Sequence, residues 1–236
     1  MSRALLGPAA LLAATALLLG ATVPFLFLGT PEAQPAAGGA AQRILYFHAP
    51  AAYAMYLAGT TCFVSSALFL AREGEGRDAV ARASAEVADL FGAMVLVSGP
   101  LWARRAWGVY WTWDPRLTTI LLSWAIYVAI VLLRRFVGSG AAERRFAAAL
   151  GVVGWFNLWL IHLSVSLWGG NHPTVVGRGG GGLRSPAMAQ ALGAGFVTMT
   201  LLCALLIWLR VRVHRQTHRL QRTEQGAIAG GLLGEE

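Results

Sequence analysis

The chain has 236 residues, of which 56% are hydrophobic and only 13% are charged, and its formal net charge is +8. A soluble domain carries about 25% charged residues, so this composition indicates a protein that lies in a lipid bilayer. All 19 basic residues are arginine. A P-loop and a Schiff base both require a lysine, so P-loop ATP hydrolysis and Schiff-base catalysis by this chain are excluded. Any ATP-driven step must come from another subunit.

Six apolar stretches are long enough to cross a bilayer, which takes about 20 mostly apolar residues in a helix. They are Ala9–Leu28, Tyr46–Leu70, Ala85–Trp102, Leu117–Leu133, Phe146–Trp168 and Ala187–Leu209. The first is longer than the apolar core of a cleaved signal peptide, so we expect a retained helix. The third is the weakest, because Glu86 and Asp89 lie near its start, where we expect snorkelling or pairing with Arg82. The predicted fold class is an all-α integral membrane protein with six transmembrane helices.

The distribution of arginines predicts the orientation of these helices, because basic residues in short loops remain in the cytoplasm. With a cytoplasmic N-terminus, 13 arginines lie in inner segments and 6 in outer segments. Both termini are then cytoplasmic, and three outer loops cover about residues 29–45, 103–116 and 169–186. We expect residues 1–212 to form the membrane domain and residues 213–236 to form a basic cytoplasmic tail. Such a tail suits an anionic lipid surface better than nucleic acid.

Residues 107–114, here called the tryptophan segment, contain three tryptophans, Tyr110 and Asp114. An aromatic belt at the membrane surface would spread such residues over many helix ends. Their concentration in one loop favours a flat apolar surface for a planar ligand. Arg104, Arg105 and Arg116 flank the segment, and guanidinium groups suit carboxylates. Haem has a flat macrocycle with two carboxylates and fits both features.

Three histidines are candidates for binding the haem iron, for which imidazole is a common axial ligand. His48 lies near the start of the second apolar stretch, and His172 precedes Pro173 in the third outer loop, so the two could approach the iron from opposite faces. His162 lies inside the fifth stretch, where an ionisable group is a functional candidate. A histidine that is hydrogen-bonded to Asn157 or Ser166 would instead be structural, and both interpretations of His162 remain open.

Asp114 has three candidate roles. It could neutralise Arg116, cap the helix that begins near Pro115, or orient the tryptophan segment toward a ligand. An acidic residue at a helix N-terminus is favourable, so capping is at least as well supported as contact with the ligand.

Residues 107–118, WGVYWTWDPRLT, resemble the WWD-type motif of haem-handling proteins in cytochrome c maturation. The chain is most similar to the haem exporter protein C (CcmC) family. Three further segments carry the resemblance: QRILYFHAPAAY at 42–53, NLWLIHLSVSLW at 157–168 and RSP at 184–186.

The resemblance implies a subunit, not an enzyme, that holds haem b at the outer face of the bacterial inner membrane. The iron would lie between His48 and His172, which stands in an Asn-His-Pro context where the family commonly has Leu-His-Gln. The other residues implied at the site are Trp107, Tyr110, Trp111, Trp113, Asp114, Arg104, Arg105 and Arg116. Haem would pass to a periplasmic haem chaperone (CcmE-like), with an ATPase (CcmA-like), a second membrane subunit (CcmB-like) and a small membrane peptide (CcmD-like) as partners.

Two other functions use the same features. A complete cytochrome c synthase shares the tryptophan motif and would attach haem directly to apocytochrome. A bis-histidine electron carrier would keep its haem permanently, but such proteins usually place both ligands inside the membrane, where this chain offers only His162.

Overall fold

A computed structural model describes residues 3–33, 38–137, 140–169, 183 and 185–230. This part of the chain forms six long α-helices: α1 (Arg3–Pro24), α2 (Leu45–Ala71), α3 (Glu75–Trp107), α4 (Pro115–Phe136), α5 (Ala141–Trp168) and α6 (Pro186–Ala229). A π-helical turn, Phe25–Gly29, follows α1, and a 3-10 helix, Gly39–Ile44, precedes α2. The described residues include no strand, so the predicted all-α class is confirmed.

Five of these helices are long and apolar enough to cross a membrane. The qualifying segments are Ala9–Gly29, Gly39–Ala71, Pro115–Phe136, Ala141–Trp168 and Pro186–Ala229. Helix α3 is not among these segments, and charged residues occupy its first three turns, from Glu75 to Glu86. The chain is therefore a multi-pass membrane protein, and a sixth span in α3 stays a prediction.

Helices α3 and α6 extend well beyond their predicted apolar cores. Helix α3 begins at Glu75, and α6 continues to Ala229, so the expected boundary at residue 212 lies inside a continuous helix. The flanking segments are rich in Ala, Arg, Glu and Gln, which favour helix even where they cannot enter lipid. At its other end α3 includes Trp107 and stops at Gly108, whose φ of 78° is the left-handed conformation of a helix C-cap. The loop expected at 103–116 is therefore shorter, and Trp107 belongs to α3.

The bundle is packed through small residues. Helix α2 contacts α3, α5 and α6, while α4 packs on α3 and α5, and α1 packs on α6. A Cβ added at Gly195 of α6 would lie 2.6 Å from the carbonyl oxygen of Tyr46, and one at Gly151 of α5 would lie 2.7 Å from Ser66 Oγ. Such close backbone approaches are typical of helix pairs in membranes.

The two ends of the bundle differ in chemistry. The end that holds residues 108–114, with the starts of α2 and α6, is called the tryptophan end. The opposite end, which holds residues 72–74 and the α4–α5 connection, is called the arginine end. There Arg134 forms a buried ion pair with Asp78 at 2.7 Å and lies 3.4 Å from Glu143.

A second charged cluster at the arginine end surrounds Glu86. This carboxylate lies 3.5 Å from Arg82, 2.6 Å from Arg210 and 3.0 Å from His214. The pairing of Glu86 with Arg82 expected from the sequence is thus confirmed, and α6 supplies two further partners.

Candidate functional site

A cavity of about 780 Å³ opens near the tryptophan end, among α2, α3, α4, α5 and α6. Its volume lies within the range of small-molecule sites, about 300–1,000 Å³. Most of its wall is aliphatic or aromatic, and the chemically distinctive side chains are His48, Trp111, Arg116 and His162. An apolar wall with a few polar groups of this kind is the usual design of a cofactor site.

His48 reaches this cavity from the first turn of α2. Its Nδ1 atom lies 2.9 Å from Ser98 Oγ on α3, and the same hydroxyl donates to the carbonyl of Met94 at 2.7 Å. Because a hydroxyl has one hydrogen, Ser98 is placed to accept from Nδ1–H of His48, and in a neutral ring that tautomer carries its lone pair on Nε2. A hydrogen bond of this kind fixes the tautomer and orientation of a metal-binding imidazole.

Gly99 determines how closely α3 approaches the imidazole. A Cβ added at Gly99 would lie 3.2 Å from Cε1 of His48, which is tighter than most side-chain contacts. Two consecutive residues of α3 therefore position His48: Ser98 by a hydrogen bond to Nδ1, and Gly99 by the close approach of its backbone.

The tryptophan segment divides between the cavity and the surface. Trp111 and Arg116 line the cavity, whereas Trp113 is 76% exposed and Tyr110 is 58% exposed. The rings of Trp111 and Trp113 meet edge to face, at 80° and 5.7 Å between centroids. A planar ligand can therefore stack on only one of these two rings in the observed arrangement.

The remaining predicted residues of this region lie at the end of α3. Trp107 packs edge to face against Trp102, with 5.2 Å between ring centroids. Arg104 donates to the carbonyl of Gly108 and lies over the ring of Tyr110 at 5.6 Å, and Arg105 is exposed. These contacts stabilise the turn after α3, and none of these residues lines the cavity.

Asp114 caps α4. Its Oδ1 accepts from the backbone N–H of Leu117 at 2.8 Å, and Pro115 occupies the first helical position, as is common at helix starts. The capping role expected from the sequence is confirmed. The second oxygen, Oδ2, is buried without a hydrogen-bond partner among the described residues, as are Trp111 Nε1 and Thr112 Oγ1. Unpaired buried polar atoms are uncommon in folded proteins, and three of them lie within residues 111–114.

His162 lines the same cavity as His48. Asn157 donates instead to the carbonyl of Thr119 at 3.0 Å and to Ser123, and Ser166 donates to the carbonyl of Leu163. The hydrogen bonds that would have made His162 a structural residue are thus not formed among the described residues. Its side chain faces the cavity with the imidazole available to a ligand.

His172 and Arg184 lie outside the described residues. Three further residues belong to this region and are absent from the sequence-based candidates: Gly99 and Trp159 line the cavity, and Ser98 contacts His48. Trp159 precedes His162 by one helical turn and could have been found from that spacing. Ser98 and Gly99 gave no signal, because their contact with His48 depends on how α2 crosses α3.

Comparison with known proteins gives a consistent family. The family described as "CcmC: Heme exporter protein C" matches residues 1–226. The protein named Heme exporter protein C from Bradyrhizobium diazoefficiens is 32% identical over 238 residues, 95% of this chain and 90% of that protein. The protein of the same name from Escherichia coli K12 is 30% identical over 74% of this chain and 70% of its own length. The protein of the same name from Rhodobacter capsulatus is 30% identical over 60% of this chain and 58% of its own length. The chain belongs to the heme exporter protein C family.

Proposed function

We propose that this protein binds haem b at the outer face of the membrane and delivers it to a periplasmic haem chaperone during cytochrome c maturation. The observation that carries the proposal is the cavity at the tryptophan end, where His48, Trp111 and Arg116 meet within an apolar wall. Family membership favours delivery over the two alternatives, a cytochrome c synthase and an electron carrier.

The residues of the cavity fit haem in three respects. With its Nδ1–H donated to Ser98, a neutral His48 would offer its lone pair on Nε2, the nitrogen that binds a metal in that arrangement. Arg116 offers a guanidinium group, which suits a propionate. Trp111 offers both a ring face and a buried Nε1–H that has no acceptor among the described residues. The other predicted arginines, Arg104 and Arg105, would meet propionates only at the mouth.

The second axial ligand in this proposal is His172. Helix α5 ends at Trp168, at the tryptophan end, and His172 follows by four residues. Four residues span at most about 14 Å, so the histidine can be no farther than that from the end of α5. The short connection therefore allows His172 to reach a site that α5 lines.

The proposal also assigns a direction to the bundle. The arginine end carries most of the 19 arginines, so it would face the cytoplasm, with both termini there and six helices crossing the inner membrane. The tryptophan end would then face the periplasm, where a haem chaperone (CcmE-like) works.

The exposed aromatic side chains suit a partner protein. Trp113 and Tyr110 are largely exposed beside the cavity, and aromatic side chains are enriched at protein interfaces. In the proposed division of work, Trp111 contacts the haem and Trp113 contacts the chaperone. ATPase and membrane subunits of the CcmA, CcmB and CcmD types would complete the complex.

An optical spectrum of the purified protein tests the haem site. The wild type should carry haem with a bis-histidine spectrum, and His48→Gly and His172→Gly should lose or change it. Added imidazole should restore the spectrum in both variants, because it can occupy the space left by the side chain. His218→Gly, at the arginine end in the tail of α6, is the matched control and should behave as wild type. Wild-type binding in both ligand variants, together with loss of haem in His162→Gly, would refute the assignment.

A further inference from the structure

A second cavity, of about 430 Å³, lies at the arginine end among α3, α4 and α6. Its polar side chains are Arg82, Arg135, Arg210 and Glu86. Its apolar side chains are Val87, Leu90, Val131 and Leu206. None of these residues belongs to the haem site proposed above.

The two kinds of side chain form separate tiers. On α4, Arg135 follows Val131 by one turn toward the arginine end, and on α6 Arg210 follows Leu206 in the same way. One turn separates the tiers by about 6 Å along the helix axis. On α3, which runs in the opposite direction, Arg82 lies nearer the arginine end than Leu90. On each helix, therefore, the arginine lies nearer the arginine end than the aliphatic residue does.

The arginine tier has a surplus of positive charge. Three guanidinium groups line the cavity with the single carboxylate of Glu86, so its lining side chains carry a net charge of +2. Glu86 accepts from Arg210 at 2.6 Å. Arg82 Nε lies 3.5 Å from the same carboxylate and makes no hydrogen bond among the described residues. No carboxylate of the described residues lies within ion-pair distance of Arg135, whose guanidinium instead lies over the Phe136 ring.

We propose that this cavity binds an anionic phospholipid. The phosphate would accept hydrogen bonds from Arg82 and Arg135, and the start of an acyl chain would lie against the aliphatic tier. Basic pockets between membrane helices on the cytoplasmic side are known to suit such headgroups. The surplus of two charges matches cardiolipin, which carries two phosphates. A soluble anion would contact the arginines but not the aliphatic side chains, whereas a phospholipid would contact both.

Lipid binding to the purified full-length protein in a neutral detergent tests the proposal. Native mass spectrometry should show cardiolipin retained over phosphatidylcholine. Arg135→Gln should weaken cardiolipin binding about fivefold, since one arginine near the surface contributes about 1 kcal/mol. Arg219→Gln, which removes an exposed arginine from the same end, should leave binding unchanged. Equal weakening by both substitutions would show a diffuse charge effect and overturn the site.

A second variant separates a lipid from a free anion. Leu206→Trp should fill the aliphatic tier without changing the charge, and it should reduce cardiolipin binding as strongly as Arg135→Gln. Unchanged binding in Leu206→Trp, or displacement of cardiolipin by millimolar inorganic phosphate, would identify an anion site and refute the lipid. These measurements involve no haem, so they stand or fall independently of the proposed function.

Discussion

The Nδ1 atom of His48 lies 2.9 Å from the hydroxyl oxygen of Ser98, and that hydroxyl is itself directed at the carbonyl of Met94. The chain of two hydrogen bonds connects α2 to α3 at the wall of the proposed haem cavity. This contact restrains the orientation of the imidazole.

Ser98→Ala removes the acceptor of that bond. Loss of the partner behind a metal-binding imidazole typically costs 10-fold to 100-fold in affinity, so we expect haem binding to weaken by about this factor. Haem titration followed by absorbance measures it. Ser98→Thr retains the hydroxyl and should retain most of the affinity. Ser166→Ala, which removes a hydroxyl on α5 bonded only to its own helix, is the control. Equal haem affinities in all three variants would show that Ser98 does not position His48 for haem binding.

Gly99→Ala places a methyl group 3.2 Å from His48 Cε1. We expect the imidazole to be displaced by a few tenths of an ångström and the haem spectrum to change, while the helix itself gains up to about 1 kcal/mol of propensity. Gly193→Ala adds the same methyl group to α6 where nothing lies within 4 Å, so it should leave the spectrum unchanged. Identical spectra for Gly99→Ala and wild type would show that this contact does not constrain the ligand.

Asp114→Ala removes the cap of α4 and should destabilise the protein by about 1 kcal/mol. Asp114→Asn keeps an oxygen for the N–H of Leu117 and should retain that stability. Thermal unfolding in detergent compares the two variants. A haem defect in Asp114→Asn at normal stability would show that the carboxylate charge also serves the ligand, whereas equal destabilisation of both would contradict the capping role.

His162→Ala and Asn157→Ala should differ sharply in stability. Asn157 donates to Thr119 and Ser123 in a buried position, so its loss should cost about 1–3 kcal/mol. His162 makes no hydrogen bond among the described residues, so its removal should leave the unfolding temperature close to wild type. A drop in stability for His162→Ala as large as that for Asn157→Ala would restore the structural interpretation of this histidine. Haem retention measured on the same samples reports whether His162 also serves the cavity.

Arg134→Gln leaves the carboxylates of Asp78 and Glu143 buried without their cation. Breaking a buried ion pair by removing one partner costs about 3–5 kcal/mol, so we expect a marked loss of stability. The matched control is Arg145→Gln, whose partner Glu73 is exposed and whose ion pair should contribute about 0–1 kcal/mol. Comparable unfolding temperatures for the two variants would show that the Arg134 network does not stabilise the fold.

The helices could be predicted from the sequence because their apolar cores are long, and the polar segments between them are short. Their ends could not all be predicted. Arginine and glutamate mark the limit of the lipid, yet they also favour helix, so α3 and α6 continue past that limit. Trp107 belongs to a helix because Gly108 provides the cap, and a glycine within an aromatic cluster gives little sign of this.

The site was predicted in part. Residue type alone identified His48, Trp111 and Arg116 as candidates, and the structure places all three on one cavity. The division between Trp111 at the cavity and Trp113 at the surface could not be predicted, because it depends on the turn between Gly108 and Asp114. The contact of His48 with Ser98 joins residues 50 positions apart, and no local pattern encodes it.

Helix α6 has 44 residues, which corresponds to about 66 Å. A bilayer core is only about 30 Å thick, so much of this rod extends beyond the lipid. The same helix carries Phe196 on the wall of the cavity at the tryptophan end and Arg210 on the wall of the cavity at the arginine end. A subunit that binds the projecting part of α6 could therefore move the wall of the proposed haem cavity. No proline or loop interrupts the helix between Phe196 and Ala229, so a movement at one end would be transmitted to the other.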